Sequence, residues 1–381
     1  MHNSHFDIPF NVPFIHPDVA NYMQKAAKEN NFFRNQGYYY QQVQKIMSKW
    51  VGHSRIFPTP SCTQALEIAS MIIDIQHGDE IILPSYTYAS TANAFVLRGA
   101  KLVFADVLSY YPSLDPKSVE ACITPKTKAI VWVHYGGRAT RPEEIITLSN
   151  KYNITLIEDA AHAIGATHNN RPLGTFGDMS TISFHETKNI GCAQGGALII
   201  NQHKWLEKAM QHIQCGTNRH DFISGKINAY KWMREGTNGI LAEPLCAMLS
   251  FQLHHLETVT RRRKKLWNHY YHLLNPITEK GIQICTPDKE DNAHVFYLML
   301  PDKKTCTHYQ QTLKEKGIHS ATHYEPLHLS PFMQSSKLIS HLPNTDKFGI
   351  SLLRLPLHHY ITEDQQQYVA NQILDLTFKK K

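Results

Sequence analysis

Between residues 55 and 202, short apolar runs alternate with longer stretches whose apolar positions recur every three or four residues. The runs 80–83, 102–107, 129–134, 155–157, 181–184 and 197–200 predict strands. Several are rich in Val and Ile and polar at both ends, as strands buried on two faces are. The intervening stretches 63–73, 90–97, 116–122, 142–152 and 204–213 predict helices, and Pro142 suits a first helical turn. This alternation implies an α/β fold with a mostly parallel sheet and helices on both faces. Ligands of such sheets gather beyond the carboxyl ends of the strands, so the residues just past each strand matter most.

The texture changes after residue 250. The stretch 251–274 reads as one helix, with Leu256, Val259, Leu266 and Tyr270 as its buried positions. Two α/β segments follow around 293–300 and 316–324, then a closing helix at 363–376. The expected organisation is a large domain over 1–250 and a smaller C-terminal α/β domain over 251–381, with no internal repeats.

Composition narrows the function. The chain has 381 residues, 42% of them apolar, enough for a large core. Its net charge of +7 admits an anionic small molecule or nucleic acid as partner. The densest basic run, Arg261, Arg262, Arg263, Lys264 and Lys265, reads as a solvated helix face. No nucleic-acid motif accompanies it, so no nucleic-acid partner is expected. The seven cysteines form no CxxC pair, which suits a reducing compartment. The first ten residues lack a basic segment followed by an apolar one, and no apolar run nears the ~20 residues that span a bilayer. A cytoplasmic protein without membrane attachment is expected. The 24 histidines include no HExxH and predict no metal site.

Three constellations carry chemistry. Thr59-Pro-Ser-Cys-Thr-Gln-Ala-Leu66 sets small hydroxyl residues before a helix, whose free N–H groups suit a phosphate or an ordinary cap. Ile154 to His162 ends a strand in Glu158-Asp159, and strand alternation sends these acids to opposite faces. Ser183-Phe-His-Glu-Thr-Lys188 puts a lysine in a polar turn past a strand, before Cys192-Ala-Gln-Gly-Gly196 and another strand. Each alone has a bland reading. In this order they are the parts of a pyridoxal phosphate site, which needs a lysine for the Schiff base, an acid against the ring nitrogen and donors for the phosphate.

These residues resemble the DegT/DnrJ/StrS sugar aminotransferases, a branch of the fold-type I pyridoxal phosphate enzymes. Ile8-Pro-Phe-Asn11, Pro84-Ser-Tyr-Thr87, Ser90 to Lys101, Cys215-Gly-Thr-Asn-Arg219 and Tyr324-Glu-Pro-Leu-His328 extend the resemblance over nearly the whole chain. It implies Lys188 as the Schiff-base lysine and Asp159 as the partner of the ring nitrogen. It further implies Tyr88 stacking on the ring, His162 near its phenolic oxygen, and Thr63, Gln64 and Ser183 at the phosphate. Asn238 matches an asparagine that reaches the phosphate from a second subunit, so a homodimer is implied. His323 and His328 are candidates for contact with the sugar nucleotide.

The implied reaction moves an amino group from L-glutamate to a nucleotide-linked keto-sugar, dTDP-4-dehydro-6-deoxy-D-glucose, as in lipopolysaccharide or enterobacterial common antigen biosynthesis. Dehydratase relatives carry histidine at the lysine position, and position 188 here is lysine. Another keto-sugar nucleotide, or a non-catalytic binding or regulatory protein on the same fold, are the alternatives. The usual Gly-Glu-Gly-Gly loop reads Ala193-Gln194-Gly195-Gly196, which removes one acid.

Overall fold

The computed structural model describes residues 7–29, 31–334 and 341–378. Seven strands form the main sheet in the order Ile56–Thr59, Gly196–Ile200, Met179–Ser183, Thr155–Asp159, Thr127–Val133, Glu80–Pro84 and Lys101–Ala105. The last five pair in parallel, and Gly196–Ile200 runs antiparallel to both its neighbours. The six predicted strands are all present within a few residues. Ile56–Thr59 is an edge strand that the pattern did not single out. Its Pro58 is tolerable at an edge, where a missing donor costs little.

Period-two alternation gives this sheet two cores. Ile81, Leu83, Ala129, Val131 and Ile157 join a cluster on one face. Ile82, Ile130, Trp132 and Leu156 join another on the opposite face. With both faces covered, the strands read as nearly continuous apolar runs.

A four-stranded antiparallel sheet forms from Gln283–Ile284, Tyr297–Met299, Leu352–Arg354 and Ala321–Thr322, in that order. A third cluster packs against it, with Leu298, Leu353 and Ile373 fully buried. Ile8 belongs to this cluster. Its N–H donates to the Gly317 carbonyl at 2.7 Å, and its own carbonyl accepts from His319 N–H at 3.0 Å. The segment after Asp7 is thereby stitched to the C-terminal half.

The stretch read as one helix over 251–274 is two, Glu243–Leu253 and Leu256–Leu274, which break at His254 and His255. The reading of its basic run as solvated fails at Arg263. That residue is buried on the same face as Val259, Leu266, Trp267 and Tyr270, because 259, 263, 266 and 270 share one helical stripe. Its guanidinium donates to the carbonyls of Ala293 (3.0 Å), His294 (2.9 Å) and Leu357 (3.1 Å). Burial lowers its pKa to about 9. Arg261 and Lys265 are exposed, as expected.

Candidate active site

All five parallel-paired strands point their carboxyl ends at one edge of the main sheet. The antiparallel Gly196–Ile200 starts there, and Ile56–Thr59 ends there. Chain segments leaving that edge therefore converge. Gly196 pairs with Ser183 on one side and Thr59 on the other. A Cβ on it would lie 2.4 Å from the Cys62 backbone nitrogen, so only glycine lets the phosphate-type loop approach the sheet.

Beyond the edge lies a cavity of about 470 Å³. Its floor holds Asp159 and Lys188. The two acids of the Thr155–Asp159 strand part company as the alternation requires. Glu158 turns into the protein and accepts from His134 Nε2 (2.7 Å) and the N–H groups of Gly174, Phe176 and Gly177 (2.8, 2.6 and 2.6 Å). Asp159 turns to the cavity, where Oδ2 accepts from Thr91 Oγ1 at 2.7 Å and Oδ1 from the Ala161 N–H at 3.2 Å. One acid secures the loops; the other is held rigid with an open face.

Lys188 lies in a turn closed by backbone hydrogen bonds from Phe184 to Gly195 (2.8 Å), Cys192 to Phe184 (3.0 Å) and Lys188 to His185 (2.9 Å). The next residue, Asn189, is buried and pins the turn. Its Nδ2 donates to the Asn292 carbonyl at 2.9 Å, and its Oδ1 faces His294 Nδ1 at 2.9 Å. Loss of water around the Lys188 ammonium lowers its pKa to about 8, against the pull of Cys62 and Asp159. A lysine so placed has a free amine within reach of neutral pH.

The helix Cys62–Ile72 starts at the wall. Ser61 Oγ caps it by accepting the Gln64 N–H at 3.0 Å. Cys62 and Thr63, whose N–H groups have no acceptor within the helix, line the cavity. Thr63 Oγ1 lies 2.8 Å from Ser90 Oγ, and Ser183 completes a set of small hydroxyls. Tyr88, 64% exposed at the start of the helix Ala89–Val96, keeps a ring face free over the opening.

Three histidines cluster at the cavity, His162 from the main-sheet edge and His294 and His323 from the facing wall. His162 Nδ1 accepts the Gly136 N–H at 3.2 Å, so its neutral ring carries the proton on Nε2, 3.5 Å from the Tyr324 hydroxyl. Its ring centroid is 4.3 Å from that of His294 and 6.0 Å from that of His323. Burial, foremost, and the nearby Lys188 and Arg354 cations hold all three pKa values well below the usual histidine range.

Thr63, Tyr88, Asp159, His162, Ser183, Lys188 and His323 thus meet around one space. Three candidates do not line it. Gln64 turns its amide to Thr237 Oγ1 at 2.9 Å. Asn238 is exposed, and its carbonyl lies 3.4 Å from the Gln64 amide. His328 lies off the cavity: its ring stands between Ser85 Oγ (2.7 Å) and Asp346 Oδ1 (3.1 Å). Sequence reasoning missed His294, Ser90, Thr91 and Arg354. The first and last lie on or beside strands of three residues or fewer, too short to show a pattern.

The residues present fit pyridoxal phosphate. A partly desolvated lysine, a fixed carboxylate, a helix start with small hydroxyls and an open aromatic face surround a space of suitable size. The mostly parallel sheet with one reversed strand, opening at its carboxyl edge, is the fold of the fold-type I aminotransferases. The chain belongs to the DegT/DnrJ/EryC1/StrS aminotransferase family, whose model matches residues 15–374. It is 32% identical over 366 residues to a pleiotropic regulatory protein of Geobacillus stearothermophilus, covering 94% of each chain. Among solved structures it resembles NtdA of Bacillus subtilis with bound cofactor PMP (TM-score 0.85, 24% identity, 94% of this chain and 81% of that one). It also resembles DesI solved with its TDP-sugar product (TM-score 0.86, 25% identity, 98% of this chain and 94% of that one).

Proposed function

We propose that the protein is a pyridoxal-phosphate-dependent aminotransferase that moves the amino group of L-glutamate to a nucleotide-linked keto-sugar. The acceptor in this reading is dTDP-4-dehydro-6-deoxy-D-glucose, aminated at C4 to dTDP-4-amino-4,6-dideoxy-D-galactose. The observation that carries the reading is a lysine with its pKa drawn down to about 8 beside a rigid carboxylate on a cavity floor. The TDP-sugar bound to DesI supports the choice of acceptor class.

When bound, the cofactor supplies an electron sink that lets a carbon next to nitrogen lose its proton. Lys188 holds the group and, once released, takes that proton on Nζ from the donor's α-carbon and later returns one to the sugar carbon. Asp159, fixed by Thr91, keeps the ring nitrogen protonated. The Cys62–Ile72 helix start, Thr63 and Ser183 take the phosphate, with Gln64 supporting from behind. Tyr88 covers one ring face. His162 Nε2–H donates towards the phenolic oxygen, and His323 faces the sugar. In the proposed homodimer, Asn238 of each chain completes the other's phosphate site. Donor nitrogen and sugar carbonyl oxygen are exchanged overall, so the products are 2-oxoglutarate and the amino sugar.

A regulatory, partner-binding role is the second reading, favoured by the likeness to the pleiotropic regulatory protein of Geobacillus stearothermophilus. One experiment separates them. The protein is mixed with pyridoxal phosphate, L-glutamate and the keto-sugar nucleotide, and the product is identified by mass and NMR. A 4-amino-4,6-dideoxygalactose product supports the full reading. Glutamate-driven conversion of the cofactor without amino sugar retains the aminotransferase and removes the acceptor. Failure to take up the cofactor removes the enzyme.

A further inference from the structure

A second cavity, of about 260 Å³, shares no lining residue with the first. It lies at the opposite end of the reversed strand, where Gly196–Ile200 runs out into Asn201 and Gln202. Val51 and Pro172 give it an apolar side, and Arg171 brings its charge. Among the described residues its lining holds no carboxylate. The Arg171 guanidinium is fixed without one. Nε donates to Thr175 Oγ1 at 3.1 Å, Nη2 donates to the Thr175 carbonyl, and the guanidinium carbon lies 4.4 Å from the centroid of the Phe176 ring. Thr175 Oγ1 is anchored in turn on the Pro172 carbonyl at 2.7 Å. Ordering a long cationic side chain costs entropy, which an acid commonly offsets. Here the protein's own hydroxyl, carbonyl and ring hold the cation, and among the described residues Nη1 has no partner.

The neighbouring polar groups are engaged among themselves. His53 Nδ1 accepts the Arg55 N–H at 3.3 Å, so Nε2 carries the proton and donates to Asn201 Oδ1 at 3.0 Å. Asn201 Nδ2 donates to the carbonyls of Gly174 (3.0 Å) and Gly177 (2.9 Å). Asp178, next to Gly177, is also engaged: Oδ2 accepts the Leu156 N–H at 3.0 Å, and Oδ1 lies 3.4 Å from both Trp205 Nε1 and Lys204 Nζ. A second guanidinium stands close by. Arg55 donates from Nε to the Ile200 carbonyl (2.8 Å) and from Nη2 to that of Asn201 (2.7 Å). What remains for a ligand is the free edge of Arg171 and the exposed Gln202 amide. We propose that this second cavity binds a phosphate group, free or as the monoester of a small sugar, with Arg171 as its charge partner. The proposal stands apart from the aminotransferase reading. A planar fork suits phosphate oxygens. Two guanidinium charges with no acid on the lining favour a dianion over a simple carboxylate. Drug-sized ligands occupy about 300 Å³ or more, so the space suits a phosphate monoester better than a whole sugar nucleotide. Val51 and Pro172 offer its carbon skeleton an apolar side.

The test uses the full chain, loaded with pyridoxal phosphate and freed of the excess, so that the first cavity's phosphate site is filled. Inorganic phosphate, glucose 1-phosphate and acetate are titrated by calorimetry at constant ionic strength. Two variants are compared: Arg171→Gln, which removes the charge, and Gln202→Glu, which adds an acid at an exposed position of the lining. The expected result is saturable binding of one phosphate ligand per chain, at least about tenfold weaker in either variant, with acetate at least about tenfold weaker than phosphate. Phosphate should raise the melting temperature of the wild type and not that of Arg171→Gln. Tighter binding of glucose 1-phosphate than of phosphate supports the site and assigns it to the monoester; the reverse order supports it and assigns the free ion. Should Arg171→Gln alone unfold, Gln202→Glu decides. The absence of saturable binding, an affinity undiminished in the folded variants, or acetate bound as tightly as phosphate each overturns the proposal. None of these outcomes bears on transamination, which the product assay tests separately.

Discussion

The two walls of the cavity are built differently. One consists of strand ends and helix starts of the main sheet, and it presents a lysine, a carboxylate and small hydroxyls. The other is supplied by the four-stranded sheet and its flanks, and it presents neutral imidazoles and an arginine. The first wall holds Lys188, whose amine exchanges a proton near neutral pH. The second holds histidines that burial and neighbouring cations keep neutral across that range. In the proposed function this difference becomes a division: one wall performs chemistry, and the other recognises what is brought to it.

The sharpest way to break this division is Lys188→Ala. Turnover should fall by at least about a thousandfold, since both the cofactor's attachment and the proton carrier are removed. The melting temperature should hold or rise, because a desolvated amine is gone. A variant retaining full turnover would sink the mechanism. Asp159→Asn should cost about a hundredfold in kcat, the scale of losing one preorganised charge at a reacting group. If KM changes instead, the acid belongs to recognition.

The lysine also sets a pH dependence. Its folded pKa is lowered to about 8, so the free amine becomes more abundant as pH rises to that value and is saturated above it. Capture of pyridoxal phosphate by the apoprotein, followed by absorbance, should quicken roughly tenfold from pH 6 to 7 and level off above about 8. A flat profile from pH 6 to 9 would contradict the desolvated lysine. The smallest effect belongs to a residue outside both walls. His328→Asn should lower stability by about 1–2 kcal/mol through the lost contacts to Ser85 and Asp346. KM should be unchanged for either substrate; a raised KM for the sugar nucleotide would return His328 to the second wall.

The first wall was legible in the sequence and most of the second was not, for a physical reason. Buried parallel strands announce themselves as apolar runs, and the fold forces ligands to their carboxyl ends. Asp159 and Lys188 could therefore be found by looking just past 155–157 and 181–184, and Ser183 at the end of the latter. The second wall is carried by strands of two or three residues, where no period can develop, so Arg354 and His294 were invisible. Arg263 shows the opposite failure. Its charge argued for solvent, while its place on the stripe with Val259 and Tyr270 argued for burial. The stripe won because three backbone carbonyls satisfy the guanidinium. His328 stands away from the cavity although its neighbours in sequence resemble a ligand-binding string, because Ser85, far away along the chain, holds its ring.

The pairing of Ile8 with Gly317 and His319 has a consequence during synthesis. Phe10 and Asn11, a few residues on, line the cavity. A chain emerging from the ribosome presents these residues long before residue 319 and must wait for it before they can settle. The main sheet, whose strands are complete by Ile200, can condense earlier around its own cores. The catalytic pocket is therefore among the last features to close, sealed by a contact of very long sequence separation. A polypeptide short of residue 319 would carry the reactive amine with no enclosure around it, and competence would arrive only after that residue has been made.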